Sequence, residues 1–269
     1  MEYKKFQHLQ DILQSMRSVV LAFSGGADST FLLKAVQMSG IEALSVTSAS
    51  DVVPYRDVLS ARTMAEKIGV KQRIIHTNLL LRDEFVRNSA DRCFFCKDSL
   101  FKELKSIAVS EGYSCVIDGS TKDDLDEFRP GRKAAEHYGV RSPLIEADIT
   151  KDEIRSLSRE LGLETWNKPA NTCLATRIPY GQRITKEVLL RVEKAEQFLH
   201  SIGINILRVR DHGLLARIEV GEEDIDLLLD REQRATISAM LKSFGYRFVA
   251  IDLEGYQSGG MDRALPKDT

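Results

Sequence analysis

The sequence contains no apolar run of roughly 18 residues, so it offers no membrane-spanning helix. It has no excess of either charge. Thirty-eight lysines and arginines stand against 40 aspartates and glutamates, a net −2, which removes any global electrostatic case for nucleic acid and leaves only a local basic patch open. Its first residues, MEYKKFQHLQDILQSM, are amphipathic and lack the apolar core of a signal peptide, so the expected location is cytoplasmic. In that setting the four cysteines read as free thiols or metal ligands rather than structural disulfides. There is no internal repeat, no low-complexity tract and no GxxxxGK[ST] motif, which excludes a Walker A loop. What remains is an ordinary globular composition, 43% hydrophobic and 29% charged. At 269 residues the chain is long enough for one medium domain and a smaller one.

Short apolar runs alternate with amphipathic stretches over the first two thirds. Strands are expected at Ser18 to Phe23, Glu42 to Thr47, Arg73 to Thr77 and Ser114 to Gly119. The intervening helices carry their own stop and start signals: Gly40 and Gly69 as stops, Pro54 as a start, and Thr150 with Glu153 as a capping box before a helix that ends at Gly162. This alternation predicts an α/β domain, a doubly wound parallel sheet covered on both faces, over residues 1–180. After Tyr180 the order changes to helix, strand, strand, one long helix from Glu222 to Phe244, and a strand from Arg247 to Leu253. That order predicts a second, smaller α+β domain over 181–262. IPYGQRI reads as the linker, and 263–269 as a flexible tail.

Ser24-Gly25-Gly26-Ala27-Asp28-Ser29 lies between the first strand and the first following helix. The carboxyl end of a parallel strand is where such sheets bind ligands, and the start of a helix favours anionic oxygens. Gly25 and Gly26 are expected to take positive φ and to let backbone approach phosphates; Ser24 and Ser29 can donate hydroxyl bonds. Asp28 would repel a phosphate and makes sense if it binds Mg²⁺ or a backbone amide. The competing reading is a tight turn in which Asp28 or Ser29 merely caps the helix. A second cluster, Asp118-Gly119-Ser120-Thr121 with Asp123, Asp124 and Asp126, ends the fourth strand and faces the same crevice. Gly119 would let backbone approach a nucleotide, the aspartates could hold a hard cation, and Arg129 could fork onto a phosphate or carboxylate. A solvated acidic loop is the alternative.

Cys115 falls inside an apolar strand and reads as a small core residue. Cys93 and Cys96 sit three apart at the start of a helical stretch, on one face, which suits a redox pair, half a zinc site, two ligands of an iron–sulfur cluster, or simple packing around Phe94 and Phe95. Only Cys173 offers a convincing third thiolate, and three thiolates fit a [4Fe–4S] cluster with one open iron. Arg177, four residues on, would favour the anionic form of the Cys173 sulfur. Arg208, Arg210 and His212 alternate along a predicted strand and share one face, either a phosphate clamp or a solvent-facing edge. Tyr180, Glu196 and Asp226 could line a site, but spacing does not decide it.

The Ser24–Ser29 string after a strand resembles the PP-loop of the ATP pyrophosphatases, whose fold is an adenine nucleotide α-hydrolase-like doubly wound sheet and whose members adenylate an oxygen that a nucleophile then displaces. Together with GSTKDDLDEFRPG, LGLETWNKPANTCLATRIPYG, RVRDHGLLARIEV and DLEGYQSGG, it resembles the LarE family of ATP-dependent sulfur transferases over nearly the whole chain. The resemblance implies ATP with Mg²⁺ as cofactors and a pyridinium-3,5-biscarboxylate mononucleotide as the small-molecule substrate. The product context it implies is the nickel-pincer nucleotide of lactate racemase. It also implies Cys173 as the sulfur-bearing residue, in the three-cysteine form a [4Fe–4S] cluster on Cys93, Cys96 and Cys173, and Arg208 and Arg210 as the phosphate clamp. Arg129 and Arg177 join them as candidate substrate contacts, and Ser24, Gly25, Gly26, Asp28, Ser29 and Gly119 as ATP contacts. A homo-oligomer, with a hexamer as the candidate assembly, is implied as well; the sulfur donor is left open, and neither membrane nor nucleic acid is expected as a partner. Three alternatives stand beside this: a PP-loop tRNA thiolase, an amide-forming ligase like NAD or GMP synthase, and a nucleotide-binding regulatory module without activity.

Overall fold

A computed structural model describes residues 2–125, 130–169, 172–257, 259–261 and 263. In chain order its elements are α1 (Glu2–Met16), β1 (Ser18–Ala22), α2 (Ala27–Ser39), β2 (Glu42–Ala49), α3 (Tyr55–Ile68) and β3 (Gln72–His76). They continue with α4 (Asp83–Val86), α5 (Arg92–Glu111), β4 (Cys115–Ile117), α6 (Gly131–His137), α7 (Pro143–Glu146) and α8 (Lys151–Glu160). The last are α9 (Lys186–Ser201), β5 (Leu207–His212), β6 (Leu215–Val220), α10 (Ile225–Leu229), α11 (Arg231–Ser243) and β7 (Phe248–Ile251).

The chain divides into two compact units, Met1–Leu79 with Cys93–Asn171, and Leu80–Arg92 with Thr172–Thr269. The division differs from the expected boundary at residue 180. The stretch read as a linker belongs to the second unit, with Ile178 and Ile184 in the core. The reason is Asn88. Its side-chain amide donates to the carbonyls of Ile178, Pro179 and Gln182, and its own carbonyl accepts from the Gly181 N–H. Those bonds fasten residues from the middle of the chain to the start of the second unit, and no periodicity signals them.

The first unit carries a four-stranded, all-parallel sheet in the order β3-β2-β1-β4. Alternate residues of β1 enter two separate cores, as a period of two requires. Val19 and Leu21 pack with residues of α1, α2, α3 and α8, whereas Val20 packs with residues of α5 and α6. The sheet is thus covered on both faces, and the α/β expectation holds for this unit. Predicted caps recur: Gly40 and Gly69 close α2 and α3 at φ +71° and +80°, and Thr150 with Glu153 forms the capping box of α8. The chain runs outward from β1 to β2 and β3 and then crosses back to place β4 on the other side of β1, so the crevice at the carboxyl ends of β1 and β4 is a topological switch point.

The second unit has a mixed sheet, β5-β6-β7, with β5 and β6 antiparallel and β6 and β7 parallel. Its core includes Leu199 of α9, Val209 of β5, Ile218 of β6 and Leu241 of α11. The single long helix expected from Glu222 to Phe244 is instead broken. Asp230 interrupts it and caps α11, its carboxylate accepting from the N–H groups of Glu232 and Gln233. Among the described residues, no helix is long and apolar enough to cross a membrane.

Candidate active site

The nucleotide loop sits at the switch point of the first unit. β1 ends at Ala22, and Gly26, rather than Asp28 or Ser29, is the N-cap residue of α2. The turn is closed by its serines. Ser24 Oγ and Ser29 Oγ lie 3.0 Å apart, the Gly26 N–H donates to Ser24 Oγ at 3.3 Å, and Ser29 Oγ donates to the Gly26 carbonyl at 3.3 Å. Only one of the two glycines takes positive φ. Gly25 stands at +71°, and a Cβ there would lie 2.8 Å from Ala61 Cα of α3; Gly26 is extended at φ −77° and would meet only Ser24 Oγ. Gly25 is therefore fixed by both conformation and packing. At Gly26 a small residue keeps the N-cap open, and the first turn of α2 presents N–H groups that no preceding turn can satisfy.

Gly119, just past β4, packs on this loop: a Cβ there would lie 3.2 Å from Ser29 Cα and N. The two glycine-bearing segments thus meet at the switch point. The neighbouring aspartates serve the fold. Asp118 accepts from Ser120 N–H, Ser120 Oγ and Ser142 Oγ; Asp123 accepts from the Lys151 N–H at the start of α8; Asp124 accepts from the Thr121 N–H and pairs with Lys151 at 2.9 Å. Of the expected cation site on Asp123, Asp124 and Asp126, two members clamp the loop to α8, and Asp126, like Arg129, lies outside the described residues.

One residue that sequence patterns did not single out joins the loop. Lys168 Nζ donates to the Gly25 carbonyl at 3.0 Å and to Ser60 Oγ of α3 at 3.1 Å. It stands in the string WNKPANTC, but a single lysine in a loop carries no periodicity that could have marked it.

The second unit gathers the thiol and the arginines. Cys173 precedes a short 3₁₀ turn, Leu174–Arg177, which folds back so that Thr176 donates to the Cys173 carbonyl through N–H and Oγ1. Arg177 is 1% exposed. Its Nη1 bonds the Thr172 and Cys173 carbonyls at 2.9 and 3.1 Å, and its Nε and Nη2 fork onto Glu196 of α9 at 2.9 and 3.1 Å. Burial would push the Glu196 carboxyl up, but Arg177 outweighs it and holds the group below its ordinary range. Glu196 also accepts from the Val209 N–H of β5 at 3.0 Å.

Arg208 and Arg210 share a face of β5, as their spacing predicts, and both are buried, at 5% and 4% exposed, whereas His212 at the end of the strand is exposed. Arg210 forks onto Glu219 of β6 at 2.9 and 2.6 Å and donates to the Thr176 carbonyl at 3.0 Å. Arg208 donates to the Leu207 carbonyl and lies over the Tyr256 ring at 5.0 Å; burial, then Arg177, lowers its pKa. The thiol turn and the arginine strand are therefore one hydrogen-bonded body. Glu219 was missed from the sequence, although folding the hairpin about Gly213 places it opposite Arg208. Glu196, left undecided by spacing, is its central carboxylate; Tyr180 instead stacks with Arg92 at 4.4 Å.

Cys93 and Cys96 begin α5 within the first unit, Cys93 exposed and Cys96 partly buried, and burial pushes the Cys115 thiol up, in keeping with a core role. Among the described residues no group of three or more histidine, cysteine, aspartate or glutamate side chains is gathered. Of the ligand set implied for an iron–sulfur cluster, Cys93 and Cys96 belong to the first unit and Cys173 to the second.

No family model matches the chain. It is 39% identical over 264 residues to an uncharacterized protein of Synechocystis sp., covering 98% of both chains. It is 36% identical over 257 residues to the pyridinium-3,5-bisthiocarboxylic acid mononucleotide synthase of Lactiplantibacillus plantarum, covering 95% of this chain and 92% of that one. A shorter match, 32% identical over 131 residues, links 43% of this chain to 31% of the argininosuccinate synthase of Bartonella tribocorum.

Proposed function

The chain belongs to the LarE family of sulfur transferases, and from that membership we propose that it converts a carboxylate of pyridinium-3,5-biscarboxylate mononucleotide into a thiocarboxylate at the expense of ATP. It is an enzyme of that family. The observation that carries the ATP half of the reading is the loop at the switch point, with Gly119 packed on Ser29 and the open start of α2 between them.

The substrate carboxylate attacks the α-phosphorus of ATP. The Pα–O bond forms, the bond to the β-phosphate breaks, and pyrophosphate leaves with the electron pair. Asp28, one carboxylate beside polyphosphate oxygens, suits Mg²⁺, which would neutralise charge on those oxygens. The acyl adenylate has a good leaving group in AMP, and the Cys173 thiolate is the nucleophile proposed to displace it. Loss of the cysteine Cα proton with cleavage of its Cβ–S bond then releases the thiocarboxylate and leaves dehydroalanine. Arg177 supports this assignment by fixing the turn through the Cys173 carbonyl. The buried arginines of β5, Arg208 above all, are the proposed clamp for the substrate's 5′-phosphate.

In a second reading Cys93, Cys96 and Cys173 would hold an iron–sulfur cluster that would supply the sulfur, as in the three-cysteine members the chain resembles. In its favour is the common helix face of Cys93 and Cys96. Protein purified without oxygen that holds about four irons per chain, lost in Cys93→Ala, would establish it. The first reading is tested by incubating the protein with the pyridinium substrate, ATP and Mg²⁺. AMP, pyrophosphate, thiocarboxylate and dehydroalanine at position 173 are expected; thiocarboxylate formed by a Cys173→Ala protein would sink it. A homo-oligomer and a cytoplasmic location complete the proposal.

A further inference from the structure

The Ser24–Ser29 loop brings backbone N–H groups and hydroxyls to its phosphate site but no cation of its own. A Walker loop carries a lysine for that purpose; this one does not. The structure supplies a cation from 143 residues downstream, where Lys168 Nζ reaches the loop carbonyl of Gly25 at 3.0 Å and Ser60 Oγ at 3.1 Å. An ammonium has three donors, and these two bonds leave one N–H for a further acceptor. Both acceptors are neutral. Burial pulls the pKa of Lys168 down, and Asp57 offsets this only in part while Arg56 adds to it. A half-buried ammonium bonded to neutral oxygens has lost part of its water, and Asp57 offsets that loss only in part, so it is stabilised further by an anion brought to it.

We propose that Lys168 is a further substrate-contacting residue, the cation of the phosphate site, which binds the polyphosphate of ATP and neutralises the pyrophosphate as it departs. The inference rests on the ATP reading above. Gly25 anchors the ammonium in place, and a cation held before the nucleotide arrives needs no rearrangement when charge develops on the leaving group.

The test is calorimetric titration of the full chain with Mg·ATP and, separately, with adenosine, on wild type, Lys168→Gln and Lys168→Arg. Glutamine keeps a donor for Gly25 and Ser60 but removes the charge. ATP affinity should fall about tenfold to a hundredfold in Lys168→Gln, as for loss of one charged hydrogen bond, while adenosine affinity holds. Lys168→Arg should keep most of the ATP affinity, and it carries the test if the glutamine variant does not fold. Equal ATP affinity in Lys168→Gln, a parallel loss for adenosine, or a loss in Lys168→Arg as large as in Lys168→Gln would each overturn the inference. A wild-type protein that fails to bind ATP would overturn the nucleotide reading itself, and this inference with it.

Discussion

The two candidate sites, one in each unit, are built from opposite materials. The nucleotide loop of the first unit consists of small residues and main chain: Gly25, Gly26 and Gly119 let backbone come close, and the serines brace the turn. The thiol and arginine site of the second unit consists of long charged side chains buried against each other, Arg177 on Glu196 and Arg210 on Glu219. The first site is costly to perturb because its shape is set by atoms that cannot move, the second because its charges cannot be left unpaired. A backbone site is specified by a few consecutive residues, whereas a side-chain site is specified by pairs that the fold brings together.

The largest expected effect divides chemistry between the units. Asp28→Ala should abolish AMP formation, whereas Cys173→Ala should still form the acyl adenylate and release no thiocarboxylate at all. Mass spectrometry of the adduct and product decides it. If Cys173→Ala also loses the adduct, the two sites do not hold separate steps and the comparison breaks.

Next in size is the buried pair. Glu196→Ala strands the Arg177 guanidinium at 1% exposure and removes the acceptor of the Val209 N–H. Denaturant unfolding should show a loss of about 3–5 kcal/mol, the cost of an uncompensated buried charge. The double variant Arg177→Met with Glu196→Met should recover much of that loss, because an apolar pair of similar volume needs no solvation. A double variant as unstable as the single one would mean that the Cys173 turn, not the charge balance, dominates.

This contrast also explains what could be read from the sequence. The loop, its place after β1, and the caps at Gly40, Gly69 and Thr150 were all legible, since each depends on neighbours in sequence. Arg208 and Arg210 were visible as an alternating pair, but their burial was not, because it depends on β6, Tyr256 and the Thr176 carbonyl. One misreading and one omission share that cause: Asn88 fastens residues 80–92 to the second unit through bonds spanning some 90 positions, and Lys168 reaches the loop across 143. The break at Asp230 is local, a cap on Glu232 and Gln233 in a stretch that propensity alone would continue as one helix. The positive φ assigned to Gly26 failed differently: extended backbone serves an N-cap, and only Gly25 needed the left-handed region.

A paired glycine substitution measures how far the loop depends on contact rather than on φ alone. Gly25 and Gly40 both stand at φ +71°, but a Cβ at Gly40 meets nothing within 4 Å while one at Gly25 runs into Ala61. Each alanine costs about 1–2 kcal/mol of left-handed strain. Gly40→Ala should therefore lower stability by that amount and leave ATP affinity unchanged. Gly25→Ala should in addition push the loop off α3 and weaken ATP binding about tenfold or more. Equal ATP affinity in the two would show that the close packing on Ala61 does not set the loop.

The smallest effect lies where neither kind of site is at stake, at the start of α8. Glu153 completes the capping box, accepts from the Thr150 N–H at 2.9 Å and pairs with Lys5 of α1. Burial acts to raise its carboxyl, but the Thr150 N–H and Lys5 prevail and hold it below the usual glutamate range. A carboxyl lowered in the folded state adds stability that is present above its unfolded value, about 4.3, and is lost as pH falls through the folded one. Glu153→Gln keeps an acceptor for the cap and removes only the charge. It should cost less than about 1 kcal/mol at pH 7, with the gap to wild type closing once the pH drops below about 4. A gap that persists at acid pH would assign the loss to the geometry of the cap, and would place this helix start with the nucleotide loop, among structures set by backbone contacts rather than by charge.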